Sequence, residues 1–162
     1  MGRGRHAYEA AYDAFLAARN AIHPSRTAGH YTAVPFAIYT DPEFSGVGWN
    51  ETRARRSGFD ADIAIFPLDE LPAAHALRST RGFIKLIRDR RSDRLLGARI
   101  LAPNASELVM ELALAVRYGL PVGELATMVH PPISLGDAVS QAARTFMAAP
   151  TRQSPTLRRG AP

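Results

Sequence analysis

The 162-residue chain contains no cysteine. That absence excludes a disulfide framework, a thiolate metal site and a dithiol redox centre within the chain itself. Lysine is almost as scarce. Lys85 is the sole lysine, so the formal net charge of +5 rests on arginine. The arginines gather in MGRGR at the start, in TRQSPTLRRGAP at the end, and at Arg53, Arg55 and Arg56. Charge scattered in this way supports solubility and weak, salt-sensitive nucleic-acid affinity, not a specific nucleic-acid site. No apolar run has the length that crosses a bilayer, and the opening residues do not read as a signal peptide. The expectation is a cytoplasmic protein without a membrane partner.

What is present suits a folded domain. With 46% hydrophobic and 22% charged residues, the chain is long enough for one domain with a substantial core. AYEAAYDAFLAARNAI, residues 7–22, predicts an amphipathic helix through Tyr8, Ala11, Tyr12, Phe15, Ala18 and Ile22. VPFAIYT predicts a strand, DPEFSGVG reads as turn chemistry, and NETRARRSG predicts a short helix capped by Asn50. DADIAIFPL is a second strand, and LPAAHALRS is short and helical or irregular. GFIKLIRD and RLLGARILA alternate as a hairpin joined by RRSD. ASELVMELALAVRYGL is the strongest helix, with Leu108, Leu112, Ala115, Val116 and Leu120 along one face. PVGELATMV begins another helix and LGDAVSQAARTF a third. From about Ala149 periodicity is lost, which predicts a disordered tail. A helix, then strands, then helices predicts an α+β fold: a small antiparallel sheet packed against C-terminal helices.

VPFAIYTDPEFSGVGWNE, RGFIKLIRD, RLLGARILAPNASELVMELALAVRYGLPVGELA and HPPISLGDAV occur in this order. Together they resemble the C-terminal dimerisation domain of the FAD-dependent pyridine nucleotide-disulfide oxidoreductases, above all the mercuric reductase and dihydrolipoamide dehydrogenase branch. HAYEAAYDAFLAARNAI is similar to the family's helix just after its last flavin-contacting segment, so the resemblance spans roughly residues 6–146. It implies three parts: residues 1–30, a helix and linker left from a flavin domain; 31–148, the dimerisation domain; and 149–162, the disordered tail. The family holds FAD and NAD(P) on glycine loops between strand and helix, and passes electrons through a cysteine pair. GRGRHA, residues 2–7, fits the loose G-x-G-x-x-A pattern but has no strand before it. No cofactor is therefore expected on this chain alone.

The resemblance also implies an acid/base histidine, held by a glutamate, that reaches the partner subunit's disulfide. Its candidates here are His130 and Asp137. Two registers are open. Matched from the histidine, His130 and Pro131 take the family's His-Pro, and the glutamate position falls on Leu135. Matched from Ser134, Leu135, Asp137 and Ala138, the acid/base position falls on Pro132, which transfers no proton. The second register keeps more of the pattern. A purely structural reading competes with both: Ser134 to Asp137 has capping-box spacing, Asp137 sits at the positive end of a helix dipole, and His130 is a loop residue.

Other candidates read as structural. His6, His23, His30 and His75 read as surface residues, and Asp41 and Glu43 as turn residues around Pro42. Glu107 and Glu111 read as a solvated helix face, Lys85 as pointing to solvent, and Tyr118 as partly buried. Three function classes stay open. The first is a stand-alone or truncated dimerisation domain, whether a gene remnant or a mis-started frame, forming a homodimer without redox turnover. The second is part of a split or partner-dependent oxidoreductase, with a full-length flavoprotein reductase subunit bringing FAD, NAD(P) and the cysteines. The third is a basic nucleic-acid-binding module using the arginine-rich ends. On the structural reading of 128–146, Ser134→Ala would cost about 1 kcal/mol in denaturant unfolding, and His130→Ala would be nearly neutral.

Overall fold

The computed structural model describes residues 6–147. The glycines of GRGRHA and the tail predicted from Ala149 lie outside the described residues. Five strands form one antiparallel sheet in the order β1-β2-β5-β4-β3. They are β1 (Phe36–Ile38), β2 (Glu43–Gly48), β3 (Ala61–Pro67), β4 (Phe83–Asp89) and β5 (Leu95–Ala102). The helices are α1 (Ala7–Ile22), α2 (Glu51–Arg56), α3 (Pro72–Ala76), α4 (Ala105–Tyr118), α5 (Val122–Thr127) and α6 (Asp137–Arg144). The α+β expectation holds. Among the described residues, no helix is long and apolar enough to cross a membrane.

The β4–β5 hairpin forms where alternation placed it, with Phe83 opposite Leu101 and Ile87 opposite Gly97. Its turn is closed by the buried Asp89 carboxylate, which accepts hydrogen bonds from the Ser92 hydroxyl at 2.7 Å and the Asp60 amide at 3.2 Å. DPEFSGVG is the clearest departure. Glu43–Gly48 is a strand, hydrogen-bonded to β1 on one side and β5 on the other. Its glycines serve close approach, not a turn. A Cβ on Gly46 would lie 2.7 Å from the Arg99 side chain and 2.8 Å from the Phe36 ring, while one on Gly48 would lie 2.3 Å from the Leu96 carbonyl. Two-sided backbone pairing outweighs the turn-like composition.

One face of the sheet is the core. Val47, Phe66, Ile84, Leu86, Ala98, Ile100 and Ala102 are buried there, against Ala105, Val109 and Leu112 of α4. Polar ties fix α4 on this surface. The buried Ser45 hydroxyl donates to the Ala105 carbonyl at 2.7 Å. The Glu43 carboxylate accepts from the Ser106 amide at 3.0 Å and the Ser106 hydroxyl at 2.8 Å, satisfying donors that the first helical turn leaves free. The helix ends at Gly119, whose φ of 62° is a left-handed cap. The predicted α4 face is right at Leu112 and Ala115, with Leu108 and Val116 partly buried; Leu120 lies past the helix end and is exposed.

Two smaller expectations fail. Lys85 bonds Glu51 of α2 at 2.8 Å, because β4 is an interior strand facing that helix, and Tyr118 is 69% exposed at the outer end of α4. Asn50 caps α2 as expected, accepting from the Arg53 amide at 2.8 Å. In α1 the periodicity is correct but the face is mostly uncovered: only Leu16 is buried, while Phe15 and Ile22 are exposed.

Acid stability follows from four carboxylates. Asp89 is held below the usual range chiefly by the Ser92 hydroxyl, Glu51 by Lys85 and Glu43 by the Ser106 amide. For Asp62, burial pushes upward, but hydrogen bonds from Arg90 and Arg88 outweigh it and the net shift is downward. Each folded-state pKa is lower than its unfolded value. The stabilisation is therefore fully present above the unfolded pKa and disappears as pH falls through the folded one. The melting temperature is expected to be flat near neutrality and to fall below about pH 4. Asp89→Asn is expected to make that acid limb shallower; a limb unchanged by the substitution contradicts this account.

Candidate functional site

The segment between α5 and α6 is positioned from three sides. The guanidinium of Arg88 on β4 donates to Asp62 of β3 at 3.1 Å and to Asp93 in the β4–β5 turn at 2.7 Å. Asp93 also accepts from the Gly123 amide at 3.1 Å, which ties the turn to α5. Buried Val122, Leu125 and Ala126 then seat α5 in the core, and Ala138, Val139, Ala142 and Ala143 do the same for α6. Between them, Val129 is 92% and Ile133 74% exposed, and Pro131 and Pro132 are exposed as well. Ile133 has φ 58°, an uncommon conformation for a β-branched residue.

His130 turns inward beneath this apolar tip. Its Nε2 lies 3.2 Å from Oε2 of Glu111 on α4, and its side chain is only 9% exposed. The surface-loop reading of His130 and the solvated-face reading of Glu111 are therefore both corrected. Glu107 remains exposed, one turn away. The contact spans nineteen residues, so no local motif announces it. One signal was available: Glu111 sits three residues after Leu108 and four before Ala115, inside the apolar stripe of α4. Gly136 leaves room for the ring, since a Cβ there would lie 3.1 Å from Cδ2 of His130.

The capping box does not form. α6 is preceded by Gly136 in a helical conformation, and no side chain caps it. Ser134 contributes its carbonyl to the Asp137 amide at 3.3 Å, but its buried hydroxyl has no hydrogen-bond partner among the described residues. The reason is that the chain is already turning helically at Gly136, which carries the Ser134 side chain inward. Asp137 instead accepts from the Ser140 hydroxyl at 3.0 Å and the Gln141 amide at 3.2 Å, within its own helix. His130 is thus brought to Glu111, and its hydrogen bond goes to that residue and not to Asp137.

The other ring nitrogen, Nδ1, is buried and has no hydrogen-bond partner among the described residues. In this arrangement the pair anchors the 128–136 loop to α4. Among the described residues no group of three or more His, Cys, Asp or Glu side chains could hold a metal ion. His6, His23, His30 and His75 are exposed, Asp41 is exposed in its turn, and Glu43 serves the start of α4.

A five-stranded antiparallel sheet with α4 packed across one face, ending in a pinned loop and a short helix, defines an α+β domain. Residues 34–143 match the dimerisation domain of the pyridine nucleotide-disulphide oxidoreductases, and the chain belongs to this family. Mercuric reductase from Bacillus cereus is 35% identical over 139 residues, covering 86% of this chain and 22% of that protein. Dihydrolipoyl dehydrogenase from Geobacillus stearothermophilus is 36% identical over 145 residues, covering 89% of this chain and 30% of that protein. The crystal structure of LpdA from Mycobacterium tuberculosis superposes with a TM-score of 0.83 at 28% identity, covering 91% of this chain and 32% of that one. The chain therefore spans under a third of the length of these relatives.

Because each partner leaves the other buried without a hydrogen bond, Glu111→Ala and His130→Ala are each expected to cost about 1–3 kcal/mol in denaturant unfolding. The double variant is expected to cost clearly less than the sum of the two, as residues in contact do. Ser134→Ala removes no hydroxyl hydrogen bond among the described residues and is expected to stay within about 0.5 kcal/mol. A costly Ser134→Ala beside a neutral His130→Ala would restore the capping reading.

Proposed function

We propose that this chain is a self-association module of the disulfide oxidoreductase family, forming a homodimer and carrying out no redox turnover on its own. The observation that carries this reading is uncovered apolar surface on a dimerisation domain. Phe15 is 66%, Leu114 53%, Tyr118 69%, Val129 92% and Ile133 74% exposed. Large exposed apolar patches on a soluble domain mark association surfaces. The boundaries we assign are 1–30 for the helix and linker, 31–148 for the dimerisation domain and 149–162 for a tail without a role in association. The cytoplasm is the compartment we assign to it.

The absence of turnover is argued from what the chain carries. It has no cysteine for a dithiol, and among the described residues no glycine loop between a strand and a helix to cradle a dinucleotide. A second reading is favoured by the match to mercuric reductases over 86% and 71% of this chain. In that reading it acts as one subunit of a partner-dependent, mercuric reductase-like enzyme, with FAD, NAD(P) and the redox cysteines on another polypeptide. The arginine clusters add only weak, salt-sensitive binding to nucleic acid by counterion release.

Light scattering of the purified chain at high micromolar concentration is expected to give a dimer mass, unchanged when residues 149–162 are removed. The same preparation is expected to be colourless and not to oxidise NADH or NADPH with added FAD. A monomer mass would contradict the association reading, and stoichiometric bound flavin would contradict the inactive one. Rate stimulation of a full-length flavoprotein reductase by this chain would favour the partner-dependent reading.

A further inference from the structure

Two arginine-rich segments meet at one end of the sheet. The last turn of α2 carries Arg53, Arg55 and Arg56, and the β4–β5 turn carries Arg90 and Arg91. Backbone bonds hold the two segments side by side. The Phe59 amide donates to the Ala54 carbonyl of α2 at 3.2 Å, and the Arg90 amide donates to the Asp60 carbonyl at 2.8 Å. Phe59 and Asp60 thus join the end of the helix to the turn. All five arginines are exposed.

Most of the acids at this end are already engaged. Asp62 takes Arg88 at 3.1 Å and Arg90 at 3.2 Å, and Asp93 takes Arg88 at 2.7 Å. Asp89 accepts from Ser92 and from the Asp60 amide, and Glu51 is held by Lys85 at 2.8 Å. Asp60 is half-buried beside Arg90. Arg55, Arg56 and Arg91 make no ion pair among the described residues. They present three guanidiniums whose planar donors match phosphate oxygens. The aromatic residues here are not free to insert into a bilayer. Trp49 and Phe59 are half-buried and packed edge to face at 5.0 Å, with the Arg53 guanidinium 5.3 Å from the Trp49 ring. A lipid surface is held by apolar insertion together with charge. A phosphate backbone is held by the cations alone.

We propose that this end of the sheet docks the phosphate backbone of nucleic acid, with Arg55, Arg56 and Arg91 as the phosphate-binding cations. The assignment rests on the weak nucleic-acid binding inferred above and gives it a place on the folded domain, apart from the chain ends. No base contact is assigned, so the binding is indifferent to sequence.

Trp49 is the sole tryptophan, so its emission reports on this surface. The full chain is titrated at low salt with a duplex of about 20 base pairs, following Trp49 emission and the anisotropy of a labelled duplex. Binding is expected to change the emission. The triple variant Arg55→Gln, Arg56→Gln, Arg91→Gln is expected to bind about tenfold or more weakly, and to flatten the log–log salt dependence by about 0.9 per charge removed. Deletion of residues 1–5 and 149–162, which carry the other arginine clusters, is expected to leave the Trp49 response in place. Circular dichroism melting checks folding. If the triple variant fails to fold, Arg91→Gln alone is expected to flatten the salt dependence by about 0.9. Absence of binding at low salt would remove the weak nucleic-acid reading and this site with it. Binding that leaves Trp49 unchanged, or that is as tight in the triple variant as in wild type, would overturn the site alone. Tighter binding to phosphatidylserine vesicles than to the duplex, lost in the same variant, would overturn nucleic acid as the occupant.

Discussion

The packing of α4 across the sheet is the constraint on which the rest of the structure depends. Its inward residues, Ala105, Val109 and Leu112, fill the core against Val47, Ala98 and Ile100. Its first turn is held by Ser45 and Glu43 of β2. One flank carries Glu111, which pins His130 and with it the 128–136 loop. Its outward side presents Met110 and Leu114. A single fourteen-residue helix therefore sets the core, the loop and the exposed face in one rigid frame, so a shift of α4 on the sheet would move all three together.

This arrangement changes the meaning of the histidine. A histidine and a carboxylate within hydrogen-bond distance are the parts of an acid/base pair, and here the second ring nitrogen is buried inside the domain. What reaches solvent is Val129, the two prolines and Ile133. The loop is therefore built as a polar anchor below an apolar tip. Replacing either member of the anchor leaves the other buried without its hydrogen bond, a cost comparable to a sizeable fraction of a domain's net stability. Such an anchor fixes the position of the apolar tip against α4.

Much of the fold was legible because its signals are local. The β4–β5 hairpin is written in alternation and a polar turn, α4 in its helical period, and α2 in Asn50. What was not legible depends on distant pairing. Gly46 and Gly48 look like turn residues until β1 and β5 are placed on either side, whereupon they become the only residues that leave room for Arg99, Phe36 and the Leu96 carbonyl. Ser134 and Asp137 have capping spacing, but the chain turns helically before the cap can form. The Glu111–His130 contact joins residues nineteen apart, and its one trace was a glutamate inside an apolar stripe. The family resemblance, carried by several segments in order, was legible for the same reason as the hairpin: it rests on continuous stretches of chain.

The central claim is that α4 organises the interior of this domain and fixes the loop between α5 and α6. Hydrogen exchange of the backbone amides in wild type and Glu111→Ala tests it most directly, because the Glu111 contact ties His130 to α4. The account predicts faster exchange across residues 128–136 in the variant, with the β4–β5 hairpin as protected as before. Loop exchange that the substitution leaves unchanged would contradict it.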